Sequence, residues 1–239
     1  MELSRRLKMN ADLIPSGSGV ADVGCDHGYV SLYLAQNKGC RCIAMDVNEG
    51  PLAIARQNIE KYNCADRIEC RLSDGLDQLR PDDKVNAVLI GGMGGMLICR
   101  ILERAKERLK TIDTLVLQPQ SDWELVRRSV ETYGFILDEE ACCEDAKKFY
   151  LVMRAVKVHT AKEPLREQRP YTEAQYRYGR ILPMRRDRCY FDQLIKEKNV
   201  CEKVISQLRD KNTESADKRK NQLEHRVELL QEILSFYQE

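Results

Sequence analysis

The sequence predicts an α/β protein: a doubly wound, mostly parallel sheet with one antiparallel edge strand, followed by an antiparallel helical hairpin of coiled-coil type. Three observations carry that prediction. Short apolar runs alternate with amphipathic stretches from Val20 to Val156. The turn Ala21-Asp22-Val23-Gly24-Cys25-Asp26-His27-Gly28-Tyr29 follows the first run, and the second run, Cys42-Ile43-Ala44-Met45-Asp46, ends in an acid. Beyond residue 160 the strands stop and a four-three apolar rhythm replaces them.

In chain order, the apolar runs place strands at 20–23, 42–46, 68–72, 87–90, 114–117, 135–137 and 149–156. Helical patterns lie between them, over 51–62, 95–109 and 122–133. Alternation of this kind implies parallel strands with helices on both faces. The last two strand candidates are separated only by the polar stretch 138–148, so they form an antiparallel hairpin at one edge. Residues 162–188 form a polar connector with Pro164, Pro170 and Pro183, and with Tyr171, Tyr176, Tyr178 and Tyr190 among or just after its basic residues. Leu194, Cys201, Ile205 and Leu208 then recur at heptad spacing broken by Lys198, and Leu223, Val227, Leu230, Leu234 and Tyr237 repeat it. Residues 209–222 hold no large apolar side chain, so two helices fold back on each other near 212–215. The competing arrangement is one continuous helix paired with another molecule. The expected division is a domain over 1–160 and a helical domain over 161–239.

Candidate site residues follow the strands. Gly24 and Gly28 let backbone approach a ligand, and Asp46, with Val47 beside it, can accept both ribose hydroxyls. The turn reads G-x-x-x-G and lacks the third glycine of the dinucleotide fingerprint. That favours a nucleoside without a pyrophosphate, with S-adenosylmethionine foremost. After the third strand, Asp74 can accept an adenine amine while Gly75 passes beside the ring; the plain alternative is a helix start capped by Ser73 or Asp74. Ile90-Gly91-Gly92-Met93-Gly94-Gly95-Met96 puts four glycines in five residues at the edge facing the ligand crevice. Such a loop lines a target pocket with backbone, and Met93 can pack on the sulfonium side or on a base. Gln118 presents an amide edge, Ser121 or Asp122 caps the next helix, and Lys147-Lys148-Phe149-Tyr150 brings cations and aromatics to the same rim. Alternation sends one of Phe149 and Tyr150 to each face.

Composition bounds the class. At 239 residues, 43% hydrophobic and 32% charged, the chain buries a sizeable core. No apolar stretch approaches the roughly 20 residues needed to span a bilayer. The charged start Met1–Leu7 lacks a signal-peptide core. Ten cysteines form no C-x-x-C pair and there are three histidines, His27, His159 and His225, so no structural metal is expected. The thiols read as small core residues in a reducing cytoplasm. Net charge is +1, but residues 161–239 carry 17 Lys or Arg against 14 acids, and the connector eight against four. Cations interleaved with tyrosines suit nucleic acid, and suit equally an ordinary solvated arm.

Taken together, Leu3-Ser4-x-Arg6-Leu7, Ala21-Asp22-Val23-Gly24-x-Asp26-His27, Asp74-Gly75-Leu76, Gly92-Met93-Gly94-Gly95 and Leu117-Gln118-Pro119, with a charged helical hairpin, resemble the bacterial tRNA (adenine(22)-N1)-methyltransferase family. The resemblance spans essentially the whole chain and is densest over 3–156. It implies a Rossmann-like class I methyltransferase sheet, by analogy of fold. It implies that Asp22, Gly24, Asp26, His27, Asp46, Asp74 and Gly75 surround S-adenosylmethionine and that the 91–95 loop faces adenine. It implies transfer to N1 of an unpaired adenine at position 22 of tRNA, in the D-loop region; the composition adds the expectation of a cytoplasmic protein with no membrane or metal, expected to act as a monomer. Asp46 stands where a glutamate also occurs, and Gln120 where an asparagine does. N1 carries a lone pair when unpaired, so no general base is required; Gly92, Met93 and Gln118 would position the substrate, His27 would orient groups, and Asp26 would face the developing cation. Two other classes compete: a methyltransferase with a different acceptor, and a non-catalytic RNA-binding scaffold.

Overall fold

The computed structural model describes residues 2–158, 170–209 and 213–238. The chain forms two compact units, Met1–Gln168 and Arg169–Glu239. The boundary expected at 160/161 falls among residues 159–169, outside the described residues, as do His159 and Asn212.

The first unit opens with a helix absent from the sequence reading, α1 (Arg5–Asp12), whose N-cap Ser4 accepts from the amide of Leu7. Then follow β1 (Gly19–Val23), α2 (Tyr29–Lys38), β2 (Arg41–Asp46), α3 (Glu49–Lys61), β3 (Ile68–Leu72), β4 (Ala87–Met93), α4 (Gly95–Arg104), β5 (Thr114–Pro119), α5 (Trp123–Thr132), β6 (Phe135–Asp145) and β7 (Lys148–Lys157). The seven strands run β3-β2-β1-β4-β5-β7-β6. The pairs from β3 through β5 are parallel. β7 is antiparallel to both β5 and β6, so the antiparallel edge is the hairpin and its reversed strand lies second from the rim. β1 pairs with β2 on one side and β4 on the other, which makes the β1/β4 boundary the switch point where such sheets bind ligands. Val20, Ala21, Ala44, Met45, Val88, Ile90 and Leu115 to Leu117 are fully buried, consistent with a sheet covered on both faces.

Three boundaries differ from the sequence reading. The helix expected over 95–109 stops at Arg104 and resumes as a short 3-10 turn, Arg108–Thr111. The fourth strand continues through Gly91 and Gly92 to Met93, with a register shift between Gly91 and Met93. Residues 138–148 are not a polar turn: β6 runs on to Asp145, and only Ala146 and Lys147, both left-handed, make the bend. The charges that mimic a turn are satisfied inside. Glu140 is fully buried against Arg127 of α5 at 2.9–3.0 Å, and Asp138 meets Arg154 on β7 in a two-bond fork.

The second unit contains α6 (Glu173–Tyr178), α7 (Ile181–Met184), α8 (Arg188–Leu208) and α9 (Glu214–Ser235). Cys201, Ile205 and Leu223 form a small core with Val204, Leu208 and Val227. Glu197 pairs with Arg226, and Phe191 packs on Tyr237, so α8 and α9 run antiparallel as expected. Thr213 caps α9, so Glu214 and Ser215 belong to the helix and not to the turn. The tyrosines foreseen as base-stacking groups are largely interior. Tyr171, Tyr178 and Tyr190 are buried; Tyr190 donates to the carbonyl of Tyr178, whose own hydroxyl donates to Glu197 at 2.7 Å. The rings are interior to this unit, and the hydroxyls of Tyr178 and Tyr190 find partners within it.

Candidate active site

β1 ends at Val23, and the chain turns at Gly24 with φ +72. The left-handed turn favours glycine, and a methyl group there would also lie 2.4 Å from the Met93 methyl, which would have to move aside. The Met93 methyl therefore packs against the turn. Asp26 follows at φ +52, and its amide points to Asp46 Oδ2 at 3.4 Å; Asp46 Oδ1 accepts from the amide of Asn48 at 2.9 Å. These contacts fix the second-strand acid beside the first-strand turn. His27 lies 3.4 Å from Asp26, and its carbonyl accepts from Asn58. Gly28, left-handed, is the N-cap of α2.

Asp22 is buried at the base of the turn and accepts from the Ser31 hydroxyl at 2.6 Å. Burial pushes its carboxyl up to about 6, opposed by that hydrogen bond and reinforced by Asp46. The Cys25 thiol is likewise raised, first by burial, which keeps it protonated. A cavity of ≈ 240 Å³ opens here. Of the residues expected from sequence, Asp22, Gly24, Asp26, His27, Gly91 and Gly92 line it.

The remaining expected residues divide into two groups. Val47 and Asp74 stand at the outer end of the crevice, where Asp46 pairs with Leu72 and its carbonyl accepts from Ser73. Val47 and Leu72 are 61% and 52% exposed, an apolar pair suited to a purine face. Asp74 is held by Arg104 at 2.6 Å, so its carboxylate is already an ion pair. Ser73 binds the carbonyl of Gly75 and the amide of Gln78, which stabilises this turn without a helix cap. Gln118, by contrast, sits behind the wall: it is fully buried, and its Oε1 accepts from Gly92 N at 3.1 Å and from Arg6 Nη1 at 3.2 Å.

The glycine run has more than one cause. Gly92 adopts φ +78 at the bulge, but a side chain on Gly95 would strike the backbone of Ser121 at 2.5 Å, and one on Gly91 would strike Asn10 at 2.8 Å. Two of the four glycines are thus packing requirements. Asp122 stands at the N-cap of α5 without a side-chain cap bond, Ser121 bonding its carboxylate instead. Phe149 packs on Trp123 and Tyr150 under Arg6, so the two aromatics do divide between the faces. The sequence reading missed Arg6, Leu7 and Asn10 on α1, together with Tyr29 and Gln120, as lining residues. Arg6 stood within a quoted motif, but nothing in its neighbourhood announced a helix lying against the end of the sheet.

The residues present are compatible with a cationic nucleoside: a left-handed glycine turn, an acid hydrogen-bonded to it, exposed apolar side chains at Val47 and Leu72, and a buried carboxylate in the cavity wall. The family model for tRNA (adenine(22)-N(1))-methyltransferase, TrmK, matches residues 20–232. The chain belongs to the TrmK family. The tRNA (adenine(22)-N(1))-methyltransferase of Bacillus subtilis is 29% identical over 238 residues, covering 98% of each chain. The crystal structure of the B. subtilis m1A22 tRNA methyltransferase superposes with a TM-score of 0.86 at 28% identity, over 98% of this chain and 99% of that one. A Streptococcus pneumoniae protein solved in complex with S-adenosyl-L-methionine gives 0.84 at 27% identity, over 98% and 100%. The TrmK likeness extends over both units, so the helical unit belongs to the family pattern.

Proposed function

We propose that this protein transfers a methyl group from S-adenosylmethionine to N1 of an unpaired adenine at position 22 of tRNA. One observation carries the reading: in a member of the TrmK family, the first-strand turn and the fourth-strand glycines line one cavity at the switch point, and the second-strand acid Asp46 is hydrogen-bonded to that turn. When bound, S-adenosylmethionine supplies an electrophilic methyl on a sulfonium.

The chain's own residues supply position and field. Asp46 receives the ribose, and Val47 with Leu72 encloses the purine. Asp22 offers buried negative charge to a cationic ligand. Asp26, exposed and next to His27, is assigned to the cation that forms on the adenine. Gly91 and Gly92 keep the wall low enough for a flat base, Met93 packs against the turn, and Gln118 holds Gly92 in place. No residue needs to remove a proton, because N1 attacks through its lone pair; catalysis rests on alignment in a site shielded from water.

The N1 edge is blocked in a base pair, so the nucleotide must enter unpaired or extruded. We assign residues 1–160 to the donor and the base, and 161–239 to tRNA. Arg185, Arg186 and Arg188, all exposed, offer charge for phosphates. A monomer in the cytoplasm accords with this substrate and with a helical hairpin whose apolar faces close within the chain. Among the described residues, no helix is long and apolar enough to cross a membrane.

Incubation with unmodified tRNA and labelled donor, followed by mapping, tests the proposal. Methyl on N1 of adenine 22 is expected; methyl on N6, or none on any tRNA, rejects it.

A further inference from the structure

Two sealed side-chain atoms beside the cavity lack a hydrogen-bond partner: Asn10 Oδ1, an acceptor, and Gln118 Nε2, a donor. Asn10 is 2% exposed and Gln118 0%. Buried polar atoms are seldom left unmet, and those that are call for an explanation. The amide of Gln118 is oriented by its surroundings. Its oxygen already receives two donors, Arg6 Nη1 and Gly92 N, which leaves its NH2 for another partner. Arg6 is itself held over the ring of Tyr150 and, through its backbone amide, by Asp145. Asn10 lies one turn further along α1, on the same face, and lines the cavity. The Asn10 amide also stands against Gly91, whose added side chain would meet Asn10 Nδ2 at 2.8 Å and Gln118 Cβ at 3.8 Å.

An unmet acceptor on a cavity-lining residue is the complement of adenine's exocyclic amine: on the major-groove edge N6 of adenine donates, whereas guanine presents two acceptors. Holding that edge leaves N1 uncovered. The position fits the acceptor end of the crevice. In the order β2-β1-β4-β5, Gln118 stands three strands from the ribose-directed Asp46, about 14 Å at the usual strand spacing.

We propose that Asn10, which lines the cavity, reads the exocyclic amine of the target adenine, Oδ1 accepting from N6. This rests on the adenine-N1 reading above. The same acceptor could instead serve the α-ammonium of the methyl donor, and the test separates the two sources.

Full-length protein and its Asn10→Ala and Asn10→Asp variants are compared on tRNA carrying adenosine or purine riboside at position 22, the latter lacking N6. Donor affinity is measured in parallel by calorimetry. For Asn10→Ala, kcat/KM on adenosine should fall about 10- to 100-fold while that on purine riboside changes little, contracting the ratio between them. Asn10→Asp retains an oxygen acceptor and should restore part of the ratio. Donor Kd should stay within about twofold and report an intact fold, since a pocket that binds is a pocket that has formed. Equal losses on both substrates, or an unchanged ratio, overturn the proposal. A donor Kd that weakens in step with activity overturns it in favour of the ammonium. No transfer by the unaltered protein to any tRNA defeats the adenine-N1 reading itself.

Discussion

Asp22 and Gly24 sit two residues apart yet obey different constraints. Gly24→Ala puts a side chain into a left-handed residue and into the Met93 methyl, 2.4 Å away. The conformational part alone costs about 1–2 kcal/mol, so the variant should bind S-adenosylmethionine more weakly by calorimetry, and adding Met93→Ala should recover only the steric share. Asp22 predicts a pH effect of definite sign. Its folded pKa, about 6, lies above the ordinary aspartate value of 3.8. The folded state therefore holds the extra proton between those values, and stability falls as pH rises through that window, by about 3 kcal/mol in all. A cationic ligand favours the ionised carboxylate, so the melting-temperature gain from S-adenosylmethionine should shrink as pH drops through 6 while the ligand-free protein gains stability. Asp22→Asn should flatten both trends in a thermal-shift series from pH 5 to 8. Residues such as these were legible because a turn beside a ligand demands their type. Arg6 and Asn10 were not, since their meaning comes from Gln118 and Gly91, which lie 80 or more positions away in the chain.

At the scale of elements, β1, β2, β4 and β5 could be read because buried parallel strands are nearly continuous apolar runs, and the edge strand β3 because apolar and polar residues alternate along it. β6 could not. Its second half, Asp138 to Asp145, looks like a loop until Arg127 and Arg154 are placed opposite its acids. The buried Arg127–Glu140 pair is accordingly the sensitive point of that edge. Glu140→Ala leaves a guanidinium enclosed without its carboxylate, and urea unfolding should show a loss of about 3–5 kcal/mol. Replacing both partners by apolar residues of similar size should recover much of it. Tyrosine positions misled in the other direction. Tyr178 and Tyr190 flank basic residues in sequence, as an RNA-stacking surface would, but their hydroxyls are spent on one another's segment and on Glu197.

For the whole molecule, overall charge near zero conceals an uneven distribution: carboxylates in the cavity wall of one unit and exposed arginines in the other. Replacing Arg185, Arg186 and Arg188 by glutamine should raise KM for tRNA and lower its salt dependence by about one in log–log slope for each phosphate that is no longer neutralised. Donor affinity, measured by calorimetry, should not move. The order of the strands bears on synthesis as well. β5, which carries Gln118, has its outer neighbour in β7, and β6 reaches the sheet only through β7. A nascent chain emerging from the ribosome thus exposes an open ladder on β5 until Lys157 has cleared the exit tunnel. Until then the eleven residues of β6 have nothing native to pair with. Chaperone capture or premature self-association should concentrate in that interval, and a stall just short of Lys157 should leave the growing polypeptide protease-sensitive along that open edge.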